Sequence, residues 1–195
     1  MNIGMFGGSF DPPHVAHVAL ARAAVEQLEL DELRIFPTGQ AWHKPNELTP
    51  ADERLAMARI AFGGLSNTVI DDRELRRPGA TYTVDTLREL QDEYPHAQLF
   101  LVMGQDQAVA LTRWREWEAI LQMVTVAVAA RPFAPAGEPQ PGLPPQARVR
   151  HIELPAMPDS ATAVRNRVAH GEGIATLVPP GVASYIASHH LYLRS

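Results

Sequence analysis

The 195-residue sequence predicts an α/β fold built on a doubly wound, mostly parallel sheet. Three observations predict it. Short apolar runs alternate with stretches of helical periodicity along most of the chain. The first apolar run ends in a glycine pair, Gly7 and Gly8, as a buried strand entering a turn does. The run VTVAVAA, Val124 to Ala130, carries small and β-branched apolar residues without alternation, the mark of a strand covered on both faces.

Taken in order, NIGMF from Asn2 is the first strand. Val18, Ala21, Val25 and Leu28 recur at three- and four-residue spacing, which predicts a helix over His14 to Leu28, and LRIF supplies a second strand. Pro37 to Pro50 is rich in breakers and has no period, so a long loop is expected there, carrying Trp42, His43 and Lys44. Ala51, Leu55, Ala58 and Phe62 form the next helix face, TVID the next strand, and Val84 to Tyr94 a helix stopped by Pro95. LFLVM continues the alternation, followed after Gly104 by a polar turn, a helix over Trp114 to Met123, and VTVAVAA. The proline-rich stretch from Pro132 to Pro145 is a connecting loop. RVRHIEL is then the last strand, and helices are expected over Ser160 to His170 and Val182 to His189.

A chain of this length with 46% hydrophobic residues can bury one sizeable core, so one domain over residues 1–195 is expected. Neither a membrane-spanning run nor a secretory leader is evident, which makes the cytoplasm the expected location. Cysteine is absent, excluding disulfides, thiolate catalysis and cysteine-based zinc sites. A net charge of −5 argues against broad capture of nucleic acid and confines any phosphate binding to a local site. A homo-oligomer is left open.

The segment GGSFDPPHVAH, Gly7 to His17, sits where a strand passes into a helix, the place where open parallel sheets bind anions. The glycines allow close backbone approach, and His14 and His17 lie one turn apart on one face. Read alone, this turn also admits a plain tight turn, structural histidines or an i, i+3 metal pair. The last is disfavoured because a helix N-terminus repels cations. The dinucleotide fingerprint GxGxxG is absent, which disfavours a dehydrogenase.

GGSFDPPHVAH resembles the signature of the HxGH nucleotidyltransferase superfamily, with Ala16 where glycine is often found. The chain as a whole resembles the bacterial nicotinate-mononucleotide adenylyltransferases from about Asn2 to Leu193. The supporting segments, in order, are HKP at His43, DRELRRPGATYTVDTL at Asp72, GQD at Gly104, TRWREWEAIL at Thr112, RP at Arg131 and SATAVR at Ser160. The resemblance implies a Rossmann-like nucleotidyltransferase fold. It also implies transfer of the adenylyl group of ATP to nicotinate mononucleotide, with Mg²⁺ carried mainly by the ATP phosphates. A related adenylyltransferase, acting on nicotinamide mononucleotide or phosphopantetheine, and a nucleotide sensor without turnover are the competing readings.

By resemblance, His17 contacts the reacting α-phosphate and His14 the phosphates beside it, with Arg165 and Lys44 as further catalytic cations. Gly7, Gly8, Ser9, Phe10, Gly104, Asp106, Arg131, Ser160 and Thr162 complete the ATP side, Asp106 on the ribose. The nicotinate side takes His43, Lys44, Thr83, Val84, Trp114 and Arg115, with Trp114 stacking on the pyridine and backbone amides near Thr83, Val84 and Arg115 receiving the carboxylate. The usual ISSTxIR pattern departs here to Asp159 and Ala161, so hydroxyl contact at position 161 is lost and Asp159 is expected to turn away or cap. Trp42 has no derivable role.

Overall fold

A computed structural model of the chain describes residues 1–41, 48–130, 143–155, 157 and 160–193. Eight strands are present among them: β1 (Asn2–Gly8), β2 (Glu32–Pro37), β3 (Gln40–Ala41), β4 (Thr68–Ile70), β5 (Ala80–Thr81), β6 (Gln98–Met103), β7 (Val124–Ala130) and β8 (Val149–Glu153). The helices are α1 (Val15–Gln27), α2 (Ala51–Phe62), α3 (Arg73–Arg76), α4 (Thr83–Glu93), α5 (Gln105–Ala110), α6 (Trp117–Met123), α7 (Ala161–Ala169) and α8 (Pro180–Ser188).

Six strands make one sheet in the order β4-β2-β1-β6-β7-β8, and every adjacent pair is parallel. The chain winds outward from β1 through β2 to β4, then returns to place β6 against the other side of β1 and winds away through β7 to β8. The reversal between β1 and β6 is the switch point at which such sheets open a crevice at their carboxyl edge. One apolar layer packs Phe6, Phe10, Leu33, Ile35, Phe62, Val102 and Val182 on the side of α1, α2, α7 and α8. The other packs Ile3, Phe36, Val84, Leu87, Leu101, Ile120 and Val126 beneath α4, α5 and α6. Alternate residues of the same strands feed both layers, which is why the central strands read as unbroken apolar runs.

Several elements differ from the expectation. β3 falls inside the stretch expected to be loop and pairs in parallel with β5 as a separate two-stranded sheet. Two-residue strands carry no periodicity. His14 precedes α1 as its N-cap, with extended backbone at φ −131 and ψ 176. The polar turn after Gly104 is the helix α5, capped by Gly104. The helix expected from Trp114 begins only at Trp117, because Leu111–Arg113 form a 3-10 turn, Trp114 is extended, and Glu116 takes the left-handed conformation at φ 51. The buried face of α2 runs through Arg54, Met57, Ala58, Ala61 and Phe62, while Ala51 is exposed. No helix among the described residues is long and apolar enough to cross a membrane.

Candidate active site

A cavity of about 480 Å³ opens at the carboxyl edge of the sheet over the β1/β6 switch point. It extends from one face of the sheet to the other. At one end lie Gly7, Gly8, Ser9, His14, His17 and Ser160; at the other lie Glu74, Thr81, Thr83 and Trp114, with Gly104 and Asp106 also in the wall. The N-termini of α1, α4, α5 and α7 all contribute lining residues, so four helix ends of positive potential border the space. No lysine or arginine is among the described residues that line it.

The turn after β1 is shaped by Phe10. Its φ of 45 lies in the left-handed region that a residue with a Cβ enters at a cost of about 1 kcal/mol. Burial to 1% exposure offsets that cost. The ring sits edge-on to Phe6 and Phe62, with centroids 5.5 and 5.2 Å away, and to His17 at 5.1 Å. A Cβ on Gly8 would stand 3.1 Å from the Phe10 ring, a tight contact that would push the ring or the turn by a few tenths of an ångström, so a glycine at position 8 lets Phe10 fold closely beneath the strand end. Phe10 thus supports the site from below while Gly8 and Ser9 line it.

The two histidines act on each other. Their rings stack with centroids 3.7 Å apart at an interplanar angle of 25°. The backbone N–H of His14 donates to Nδ1 of His17 at 3.2 Å. An accepting Nδ1 in a neutral imidazole puts the ring proton on Nε2, which makes that nitrogen the donor of the ring. Burial lowers the His14 pKa to about 4, so its imidazole is neutral near pH 7. This end of the cavity therefore presents hydrogen-bonding imidazole and helix amides.

Around this end the loop after β1 is held by long-range contacts. Arg165 of α7 donates from Nη1 to the Asp11 carbonyl at 2.7 Å and from Nη2 to Oγ1 of Thr162 at 3.2 Å. The Asp11 carboxylate accepts the Thr49 N–H at 3.1 Å and the Tyr192 hydroxyl at 2.6 Å. Arg54, 2% exposed, donates to the carbonyls of Ser9, Thr38 and Thr49, at 2.9, 2.8 and 2.9 Å. One guanidinium thereby joins the ends of β1 and β2 to the start of α2. Desolvation lowers its pKa, and Asp11 with Tyr192 opposes that.

At the opposite end Trp114, in extended backbone, is half-buried against the α4 side of the core. Thr83 opens α4 beside it, and the Val84 side chain is wholly buried, so only the backbone of that residue can serve a ligand. Arg115 is exposed and lies 4.6 Å over the Tyr82 ring. Glu74 forms part of this wall at 3% exposure.

Of the residues expected from sequence, Gly7, Gly8, Ser9, His14, His17, Thr83, Gly104, Asp106, Trp114 and Ser160 line one cavity. Ser160 caps α7 by accepting the Ala163 N–H at 3.1 Å. Asp106 is exposed in the first turn of α5, whose N-cap is Gly104. Phe10, Val84, Thr162, Arg115 and Arg165 stand outside the lining, as support or rim. Trp42, His43, Lys44, Arg131 and Asp159 lie outside the described residues. Sequence reasoning did not single out Glu74, Thr81, Arg54, Asp11 or Tyr192. Arg54 had a signal: it occupies the i position of the apolar i, i+3, i+4, i+7 face of α2.

The cytidylyltransferase-like family model matches residues 5–167. A protein of Albidiferax ferrireducens named "probable nicotinate-nucleotide adenylyltransferase" is 50% identical over 192 residues, covering 97% of each chain. One of the same name from Methylibium petroleiphilum is 43% identical over 194 residues, covering 97% of this chain and 92% of that one. Among solved structures, the Plasmodium falciparum nicotinic acid mononucleotide adenylyltransferase complexed with NaAD is similar with a TM-score of 0.80. It is 20% identical and covered to 97%, over 98% of this chain, a likeness that speaks to the fold. The chain belongs to the cytidylyltransferase-like family, among its nicotinate-nucleotide adenylyltransferases.

Proposed function

We propose that the protein transfers the adenylyl group of ATP to nicotinate mononucleotide, forming nicotinate adenine dinucleotide and pyrophosphate in NAD biosynthesis. The names of its relatives support the reaction. One observation carries it in this chain: a single cavity joins an imidazole pair at a helix N-terminus to an indole beside a second helix N-terminus. A phosphate chain suits the first end and an aromatic carboxylate the second.

A phosphate oxygen of the mononucleotide attacks the α-phosphorus of ATP, and the bond from that phosphorus to the oxygen bridging it to the β-phosphate breaks. Both reactants are anions, so the protein's task is to hold them in line and stabilise the charge that builds up. Nε2–H of His17 donates to the α-phosphate, His14 supports the neighbouring phosphates, and Gly7, Gly8 and Ser9 let the backbone approach them. Arg165 ties α7 to the Asp11 loop, and its charge is assigned to the ATP phosphates. Asp106 accepts from the ATP ribose, while Ser160 and Thr162 serve the phosphates from α7. Lys44, with His43, and Arg131 are assigned phosphate contacts. Trp114 stacks on the pyridine, and amides near Thr83, Val84 and Arg115 take its carboxylate.

Mg²⁺ accompanies the reaction on the ATP phosphates. The described lining fits that mode: its carboxylates are the exposed Asp106 and the buried Glu74, too few oxygens for a protein cage. When bound, the ion neutralises triphosphate charge. The whole chain, 1–195, is assigned to one nucleotidyltransferase domain, and the reading carries with it a cytoplasmic location.

The test is pyrophosphate release with ATP, Mg²⁺ and either nicotinate or nicotinamide mononucleotide. Release with the nicotinate form, and much less with the nicotinamide form, is expected. Nucleotide binding without product from either would leave a sensor, and equal efficiency would remove the carboxylate-recognising role of the amides.

A further inference from the structure

Glu74 has no part in the transfer chemistry, yet it is a buried acidic residue that lines the substrate cavity with Thr81, Thr83 and Trp114. Its position is tightly defined. Thr86 of α4, itself fully buried, donates its hydroxyl to Oε1 at 2.8 Å. Arg77 donates from Nη1 to the same Thr86 oxygen at 3.1 Å and from Nη2 to Glu89 at 2.7 Å. The Glu74 carbonyl accepts from the Thr81 hydroxyl, and Gly39 passes so close that a Cβ there would stand 2.3 Å from that oxygen. Thus β5, α4 and the chain beyond β2 all fix α3 against this end of the cavity.

We propose that Glu74 is a specificity-determining residue for the pyridine substituent, neutral when the anionic nicotinate carboxylate is bound and repelling it when ionised. This rests on the adenylyl-transfer reading above. Two carboxylates in one poorly solvated pocket cannot both ionise without compensating charge. The charged groups around Glu74 are Arg77 just beyond α3, Asp71 at the end of β4 and Glu89 on α4. The Arg77 guanidinium is already shared with Glu89 and Thr86. Burial raises the Glu74 pKa to about 7, which the Thr86 hydrogen bond and Arg77 oppose and Asp71 and Glu89 assist. Binding of the nicotinate form therefore takes up a proton when the free protein has lost it. The neutral amide of the nicotinamide form has no such requirement, and it can donate to the ionised carboxylate.

The experiment follows KM for both mononucleotides from pH 6 to 9 at saturating ATP and Mg²⁺, in the wild-type protein and Glu74→Gln. In the wild type, KM for the nicotinate form approaches a tenfold rise per pH unit above about 7, the slope of one linked proton. KM for the nicotinamide form lacks that rise, so the preference for nicotinate narrows. Glutamine keeps an acceptor for Thr86 without the charge, and it removes the pH dependence of the preference. Calorimetry of both mononucleotides with the wild-type protein at pH 8, in two buffers of different ionisation enthalpy, needs no variant. About one more proton is taken up with the nicotinate form than with the nicotinamide form. Parallel pH profiles in wild type and Glu74→Gln, or equal proton uptake for both ligands, would overturn the assignment while leaving the activity intact. Absence of product from the nicotinate form at every pH would end the underlying reading and this one with it.

Discussion

The chemistry turns on one nitrogen. Nδ1 of His17 accepts the His14 N–H, so in the neutral ring Nε2 carries the proton, and it is the donor that the proposed reaction assigns to the α-phosphate. Loss of one donor to a transition state costs about 100- to 1000-fold in turnover. His17→Ala is therefore expected to lower kcat by about two orders of magnitude or more while far-UV circular dichroism stays native; near-normal kcat in a folded variant would remove His17 from that role. The His pair could be read in the sequence because its spacing places both residues at one helix start. The stacking and the tautomer could not, since they depend on His14 being an extended N-cap with its ring turned back on His17. Arg54 hid for a different reason: an arginine on an apolar face looks like a rim residue until the three carbonyls that take its protons are brought together by the fold.

Elements place these residues, and their boundaries decide what each side chain can do. Had the helix begun at Trp114, that indole and Trp117 would share a helical face. The 3-10 turn and the left-handed Glu116 instead release Trp114 toward the cavity, while Trp117 starts α6. A stacked base is worth about 1–3 kcal/mol, or about 5- to 150-fold in binding. Trp114→Ala should raise KM for nicotinate mononucleotide within that range and leave KM for ATP nearly unchanged, measured by steady-state kinetics with each substrate varied; an equal rise in both would assign Trp114 to packing. The parallel sheet's main strands and the major helices were legible because long apolar and periodic segments encode them, whereas the order of the strands in the sheet was not read from the sequence. The β3–β5 pair, α3 and α5 were not, since two to six residues hold too little periodicity. The join between elements is Arg54. Arg54→Met preserves much of the apolar stem but strips hydrogen bonds from three carbonyls, each costing about 1–3 kcal/mol if left unsatisfied. A loss of about 3 kcal/mol or more in urea unfolding is expected, and a loss below 1 kcal/mol would show that water replaces the clamp.

Over the whole molecule, two buried groups near the opposite ends of one cavity pull stability in opposite directions with pH. His14, at about 4, lies below its unfolded value of 6.5, so between those limits the unfolded chain holds a proton the folded one refuses. Its contribution makes stability rise with pH there and fall on acidification. Glu74, at about 7, lies above its unfolded value of 4.5, so the folded chain retains a proton the unfolded chain has released. Its contribution makes stability fall as pH rises between those limits. The windows overlap from pH 4.5 to 6.5, where slopes of one proton each, about 1.4 kcal/mol per pH unit, cancel. Asp71 does not disturb this balance: burial opposes its ionisation, but the Arg73 hydrogen bonds with Arg34 outweigh that and lower its pKa from 3.8, below the overlap. Urea unfolding across pH 4.5 to 6.5 should therefore be nearly flat from these two groups in the wild type, rising with pH in Glu74→Gln and falling with pH in His14→Gln. Variants whose slopes match each other would show that the two groups do not titrate as their burial requires. Opposite slopes would show that each end of the cavity holds its group in the neutral form between pH 4.5 and 6.5, at the expense of stability. At neutral pH His14 remains an uncharged imidazole beside the phosphates, whereas Glu74 stands at the edge of its window, where a bound carboxylate can decide its proton.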